Sequence, residues 1–243
     1  MRSRFLAFAF HLGNSMVLAL IAITLVYLVW YPNPIAAAVG VGDVFLMMLG
    51  IDVVLGPVMT FIVYKQGKKT LVLDLTVIVL IQLAAFGYGL HAITAARPAW
   101  LVYSGSRFDL VQANDLVFRY SDQTSSEFRS VPWWGPKWVA ARLPGDVKKR
   151  NELMMSAFGG REDLPQRPDL YVPLEREIDA MAAKAQPISK LAALNTPESV
   201  QKILAKWPRA DTFMPLITKG RPLTVLLKKG QAQPIAIVDL KAF

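Results

Sequence analysis

The sequence predicts a membrane bundle of three transmembrane helices followed by an α+β domain. Two observations carry that expectation. Residues 1–96 contain three long apolar runs with only five Lys/Arg and three acids, whereas residues 97–243 hold 22 basic and 15 acidic residues. The five basic residues of the first part sit at its start (Arg2, Arg4) and in one turn, Lys65-Gln66-Gly67-Lys68-Lys69. A run of about 20 apolar residues is long enough to cross the hydrocarbon core as a helix. The chain therefore divides into a membrane domain, 1–96, and a second domain, 97–243, long enough to bury its own core.

The first span is Phe5–Trp30. Its cluster Tyr27/Trp30/Tyr31 stands where an interfacial aromatic belt would lie. A cleaved signal peptide is the competing reading, since Ala36-Ala37-Ala38 resembles a cleavage site. The apolar region exceeds the usual 7–15 residues, which favours a retained anchor. Val41–Tyr64 is the second span and carries Asp43 near one end and Asp52 near its middle. Leu71–Ile93 is the third, with Asp74 near its start and Gln82 near its centre. No Lys/Arg lies between spans 1 and 2, so the positive-inside rule places the N-terminus and the basic turn in the cytoplasm. Three crossings then put the second domain in the periplasm of a two-membrane bacterium, with the chain in the inner membrane.

A carboxylate at mid-membrane costs roughly 2.5 kcal/mol or more unless it faces protein or water. Asp52 is therefore expected to have a partner, and Gln82, at the same depth on the antiparallel third span, is expected to face it. His11, Asn14 and Ser15 share a face of span 1, at the depth of Asp74. Gly56-Pro57 lies one turn beyond Asp52, and the proline is expected to loosen the helix around the Val53 carbonyl. Three roles stand open for these groups. They hold the bundle together, they form a docking face for another transmembrane helix through Asp52, Gly56, Pro57 and Gln82, or they relay protons.

In the second domain Arg97-Pro98 ends the third helix. Trp100–Tyr103 and Arg107–Gln112 read as a hairpin about Ser104-Gly105-Ser106, and 114–130 as irregular. Trp133, Trp134 and Trp138 fall within six positions around Gly135-Pro136. They read either as core residues, at least two of them, or as anchors for a partner. Lys137–Leu143 reads as a strand, and Asp146 caps a helix to about Phe158 closed by Gly159-Gly160. Leu164–Pro173 reads as a loop and Leu174–Lys184 as a second helix. Asn195 or Thr196 caps a third helix, which runs from Pro197 to about Trp207. Strands follow at Thr212–Thr218, Leu223–Lys228 and Pro234–Leu240, the last two joined by a hairpin at Lys229-Gly230-Gln231.

Composition excludes much chemistry. With no cysteine there is no disulfide, thiol nucleophile or cysteine-ligated zinc. Both histidines, His11 and His91, lie in 1–96, so a histidine-based triad or metal site in the second domain is excluded. Glu162-Asp163 are adjacent and do not face each other, and Gly159-Gly160 lacks the spacing of a phosphate loop. No enzyme and no cofactor is expected. The pI near 9.8 comes partly from topology and partly from scattered residues, which argues against nucleic acid.

Taken in order, HLGNS (11–15), VYLVWYPNP (26–34), LGIDVVLGPVMTFIVYKQGKK (49–69), LDLTVIVLIQLAAFGYGLH (73–91), ARPAWLVYSGSRFDLVQAND (96–115), GPKWVAARLP (135–144) and RNELMMSAFGGRED (150–163) resemble the TfpX/TfpZ-type accessory proteins of type IV pilins. The likeness fades over the final 60 residues or so. It implies an inner-membrane protein that holds or chaperones a type IV pilin subunit before assembly, without a catalytic centre. Pilins of that kind have one apolar helix in the bilayer, with a glutamate near its start, and a periplasmic head. The three-span part and the periplasmic domain could contact both. The alternatives are a non-catalytic subunit of another envelope assembly and an enzyme acting on envelope glycans or the pilin.

Overall fold

A computed structural model describes residues 1–228 and 230–243. The chain separates into two compact units, Met1–Ala96 and Arg97–Phe243.

The first unit contains three helices long and apolar enough to cross a membrane, Arg2–Trp30, Val41–Val63 and Leu71–Ala95. The first is α1 (Arg2–Ile23), which widens into a π-helical turn over Thr24–Trp30. A short α2 (Ile35–Val39) follows and ends at Gly40, whose φ of +72° lets the chain turn straight into α3 (Val41–Leu49). A second π-helical turn, Gly50–Leu55, joins α3 to α4 (Gly56–Val63), and α5 (Leu71–Ala95) completes the set. Ser3 donates to the Gln66 side chain at 3.3 Å, so the chain's start and the lysine-rich turn lie at one end of the bundle. Lys68 of that turn pairs with Asp74 at 2.6 Å.

The aromatic cluster does not form an interfacial belt. Trp30 and Tyr31 are buried with Val26, Phe45, Met48 and Ile93, and the Tyr31 hydroxyl donates to the Ile93 carbonyl at 2.9 Å. A hydroxyl that finds a carbonyl on a neighbouring helix is satisfied inside the bundle and does not need the water of the interface.

The second unit is an α+β fold on one open mixed sheet. Its strands are β1 (Pro98–Tyr103), β2 (Phe108–Gln112), β3 (Lys137–Ala141), β4 (Tyr171–Val172), β5 (Gln186–Pro187), β6 (Ala210–Ile217), β7 (Leu223–Lys228) and β8 (Pro234–Val238). They run in the order β4-β3-β1-β2-β6-β7-β8, with β5 paired to β6. The β1–β3 and β2–β6 pairings are parallel; the others are antiparallel. Every residue of β1 and β2 is buried, as expected of central strands. One core gathers Trp100, Val102, Val111, Phe128, Val139 and Tyr171, and another Leu191, Val200, Phe213, Leu226, Val238 and Leu240.

The helices are α6 (Val147–Phe158), α7 (Ile178–Lys184), α8 (Leu191–Leu194) and α9 (Pro197–Leu204). Asp146 caps α6 as the sequence predicts, accepting from the Lys148 and Lys149 amides at 2.7 and 3.2 Å. Other expectations change. The Leu174–Lys184 helix begins as a 3-10 turn, and Leu164–Pro173 contains two such turns and β4. Helix α9 stops at Leu204; Thr196 stands at its N-cap as one of the two expected residues, without a side-chain bond to the helix amides. Asn195 instead clamps Lys241, donating to its carbonyl at 2.9 Å and accepting from its amide at 2.8 Å. That contact is 46 residues distant in sequence, beyond the reach of local pattern. β7 and β8 pair as expected, while Lys229 of the turn between them lies outside the described residues.

Candidate functional site

Asp52 and Gln82 are each the twelfth residue of their span. Both are buried, Asp52 at 5% and Gln82 at 8% exposure, and Gln82 and Ile93 are the buried residues of α5. The structure brings them together in a particular way. Gln82 Nε2 donates to the main-chain carbonyl of Asp52 at 3.2 Å.

The sequence explains why that carbonyl is free. In the π-helical turn the Gly56 amide donates to the Ile51 carbonyl, five residues back. In the same register the Asp52 carbonyl falls to residue 57, which is proline and has no N–H. The carbonyl orphaned by Pro57 is thus that of Asp52 and not, as ordinary helical spacing predicts, that of Val53. The Gln82 amide takes the place of the missing donor. Gly56 makes this possible, because a Cβ there would overlap the Gln82 amide. Four residues named from sequence, Asp52, Gly56, Pro57 and Gln82, therefore form one unit.

Around it runs an open groove of about 450 Å³ between α1, α4 and α5. Its polar lining comprises the buried Ser15, Asp52, Thr60 and Gln82, the half-buried His11 and the exposed Asn14; its apolar lining includes Phe10 and Leu18 on α1 and Val79 and Leu83 on α5. His11 Nδ1 and Thr60 Oγ1 lie 2.6 Å apart. The sequence reading set His11, Asn14 and Ser15 at the depth of Asp74. In the structure they share the groove with Asp52, because α1 packs along α4. Thr60 was missed; its position two turns from Asp52, on the same helical face, was the available signal. Asn14 Nδ2 turns back to the Phe10 carbonyl at 2.8 Å. Asp52 Oδ2 and Gln82 Oε1 are buried without a hydrogen-bond partner among the described residues.

Trp133 and Trp134 belong to the second unit. They are 49% and 76% exposed, so neither fills a core, and the Arg97 guanidinium lies 4.9 Å from the Trp133 ring. Trp138 differs, packing edge-on against Phe108 at 5.1 Å. Gly135, at φ +72°, and Pro136 form the turn that separates it from the other two.

Several carboxylates of the second unit are engaged structurally. Glu162 pairs with Arg119 at 3.1 Å and Arg167 at 3.5 Å, while Asp163 caps the turn at Leu164. Arg167 holds Asp169 through two bonds of 2.8 Å and stacks 3.8 Å over Tyr120. Asp109 accepts from Ser104 and Arg107, and burial nonetheless pushes its pKa above the usual carboxylate range, against those bonds. Among the described residues no group of three or more His, Asp or Glu side chains is placed to hold a metal.

These features define a class of protein: a membrane-anchored chain with a polar groove among its apolar helices and a soluble α+β unit. Comparison with known proteins gives the family. The profile of the fimbrial assembly protein FimB matches residues 1–40. A fimbrial assembly protein of serogroup E1 from Dichelobacter nodosus is 32% identical over 243 residues, covering 96% of this chain and 93% of its own length. Its serogroup I counterpart is 32% identical with the same coverage. A third, of serogroups C1 and C2, is 34% identical over 109 residues, 44% of this chain and 83% of its own. The chain belongs to the fimbrial assembly protein family. No solved structure matches it.

Proposed function

We propose that the chain is a TfpX/TfpZ-type accessory protein that binds a type IV pilin subunit in the inner membrane and holds it, without catalysis, before or during assembly. The observation that carries the reading is the likeness to fimbrial assembly proteins along nearly the whole chain, which spans both the grooved membrane unit and the soluble unit. The groove built on Asp52, Gly56, Pro57 and Gln82 supports a contact with the pilin's membrane helix. The exposed Trp133 and Trp134 support a contact with its head, since tryptophan in such a position is a favoured interface anchor. The positive-inside distribution supports a cytoplasmic N-terminus and a periplasmic soluble unit.

Purification of the full-length chain from native membranes in mild detergent tests the reading. Type IV pilin is expected as the main co-purifying protein, and its intact mass is expected to be unchanged in a strain lacking the chain. A different envelope assembly in its place, with pilin absent, would overturn the proposal. An altered pilin mass would point to an enzyme.

A further inference from the structure

We infer that the groove is a docking site for one further membrane-spanning helix, recognised by a hydrogen-bond donor on its apolar face that meets Asp52 and Gln82. This deepens the proposed function and rests on it only for the identity of the protein that owns the helix.

The argument starts from what the groove lacks. Asp52 Oδ2 and Gln82 Oε1 are oxygens of side chains more than nine-tenths buried, and neither is the acceptor of a well-formed hydrogen bond among the described residues, although the Gln82 amide interacts with both Asp52 and His11. Nearby amide donors are committed: Gln82 Nε2 to the Asp52 carbonyl, Asn14 Nδ2 to the Phe10 carbonyl. Inside a bilayer no bulk solvent makes up the difference, so two lone oxygens at mid-span are costly unless something brings donors to them. Lipid tails carry none.

The shape agrees with the chemistry. The groove is flanked by side chains open to the outside, Phe10 and Leu18 on α1 and Val79 and Leu83 on α5. An apolar helix replaces lipid against such rims at little cost, while Ala7 and Ser15 on α1 leave room for close approach. A helix is also the natural element to carry a polar side chain to this depth with its own backbone satisfied. The occupant is therefore an otherwise apolar helix with a hydroxyl, amide, ammonium or protonated carboxyl group at the level of Asp52.

The test uses the full-length chain in native membranes. A benzophenone amino acid replaces Leu83 on the groove rim or, as a lipid-facing control, Val72, and adducts are mapped by mass spectrometry. The Leu83 probe is expected to trap a transmembrane helix at least tenfold more than the Val72 probe. A donor residue should lie within one turn of the crosslink. Asp52→Leu is expected to cut that adduct at least tenfold and Asp52→Asn, which keeps an oxygen in place, less than threefold. Asp52→Leu should melt no lower than the parent in detergent, because it removes an unpaired buried group. Adducts with lipid alone, with a second copy of this chain, with a helix lacking a donor near the crosslink, or of a yield insensitive to Asp52→Leu would each overturn the inference. The outcomes separate the two proposals. A pilin adduct insensitive to Asp52→Leu would sink donor recognition and leave the pilin reading standing; a donor-bearing helix from another protein would do the reverse.

Discussion

A methyl group added at Gly56 would land on the Gln82 amide. Gly56→Ala is therefore expected to push Gln82 off the Asp52 carbonyl and leave that carbonyl unpaired, at a cost of roughly 1–3 kcal/mol. Thermal unfolding of the full chain in detergent measures it. Combining Gly56→Ala with Gln82→Ala removes the overlap, so the double variant should cost less than the sum of the two singles. Asp109 offers a pH signature in the second unit. Its pKa is raised on folding, so between the ordinary aspartate pKa and the higher folded value the folded state holds the proton more often than the unfolded. Stability from this group thus falls as pH rises through that window and is recovered on acidification. Asp109→Asn should flatten that part of the stability profile; an unchanged slope would show that another group carries it. Arg167 differs, since its guanidinium is largely buried between Asp169, Glu162 and Tyr120. Removing one member of such a network strands the others, and Arg167→Ala is expected to destabilise the chain by about 3 kcal/mol.

At the level of elements, the middle helix owes its shape to two features in combination, the π-helical turn Gly50–Leu55 and the proline that follows it. Pro57→Ala would restore an N–H where the Asp52 carbonyl needs one. Gln82→Leu should then be tolerated better in the Pro57→Ala background than in the parent, with a coupling of about 1 kcal/mol. Equal costs in both backgrounds would mean that Gln82 does not replace the missing backbone donor. Helix α6 tests ordinary capping. Asp146→Ala removes the acceptor for the Lys148 and Lys149 amides and should cost about 1 kcal/mol.

For the whole molecule, the absence of cysteine makes topology directly measurable, because any introduced cysteine is unique. If the proposed orientation holds, an impermeant maleimide applied outside the inner membrane should label Trp134→Cys and spare Gln66→Cys. The reverse pattern would invert the chain and move the Trp133/Trp134 surface away from any periplasmic pilin head. The two sets of named residues lie in different units, four in the membrane unit and two tryptophans in the soluble one. Substitution in one unit is therefore expected to leave the other's folding unchanged, since each unit has a core of its own.

The three apolar helices, the α+β character of 97–243, the Asp146 cap and most strands were legible because each follows from local pattern: hydropathy over a span, alternation, turn residues, caps. So was the meeting of Asp52 with Gln82, since antiparallel helices of similar length bring their midpoints together. The rest required tertiary structure. Whether Trp30 and Tyr31 line an interface or a bundle core depends on where Ile93 stands. Whether Asn195 caps a helix or holds Lys241 depends on a contact between residues 46 positions apart. Ordinary helical spacing marks Val53 as the carbonyl freed by Pro57, and only the shift to a π-helical register transfers that loss to Asp52. Local pattern determined which residues are polar in an apolar setting; the packing of three helices decided which of their atoms are satisfied and which are left facing the groove.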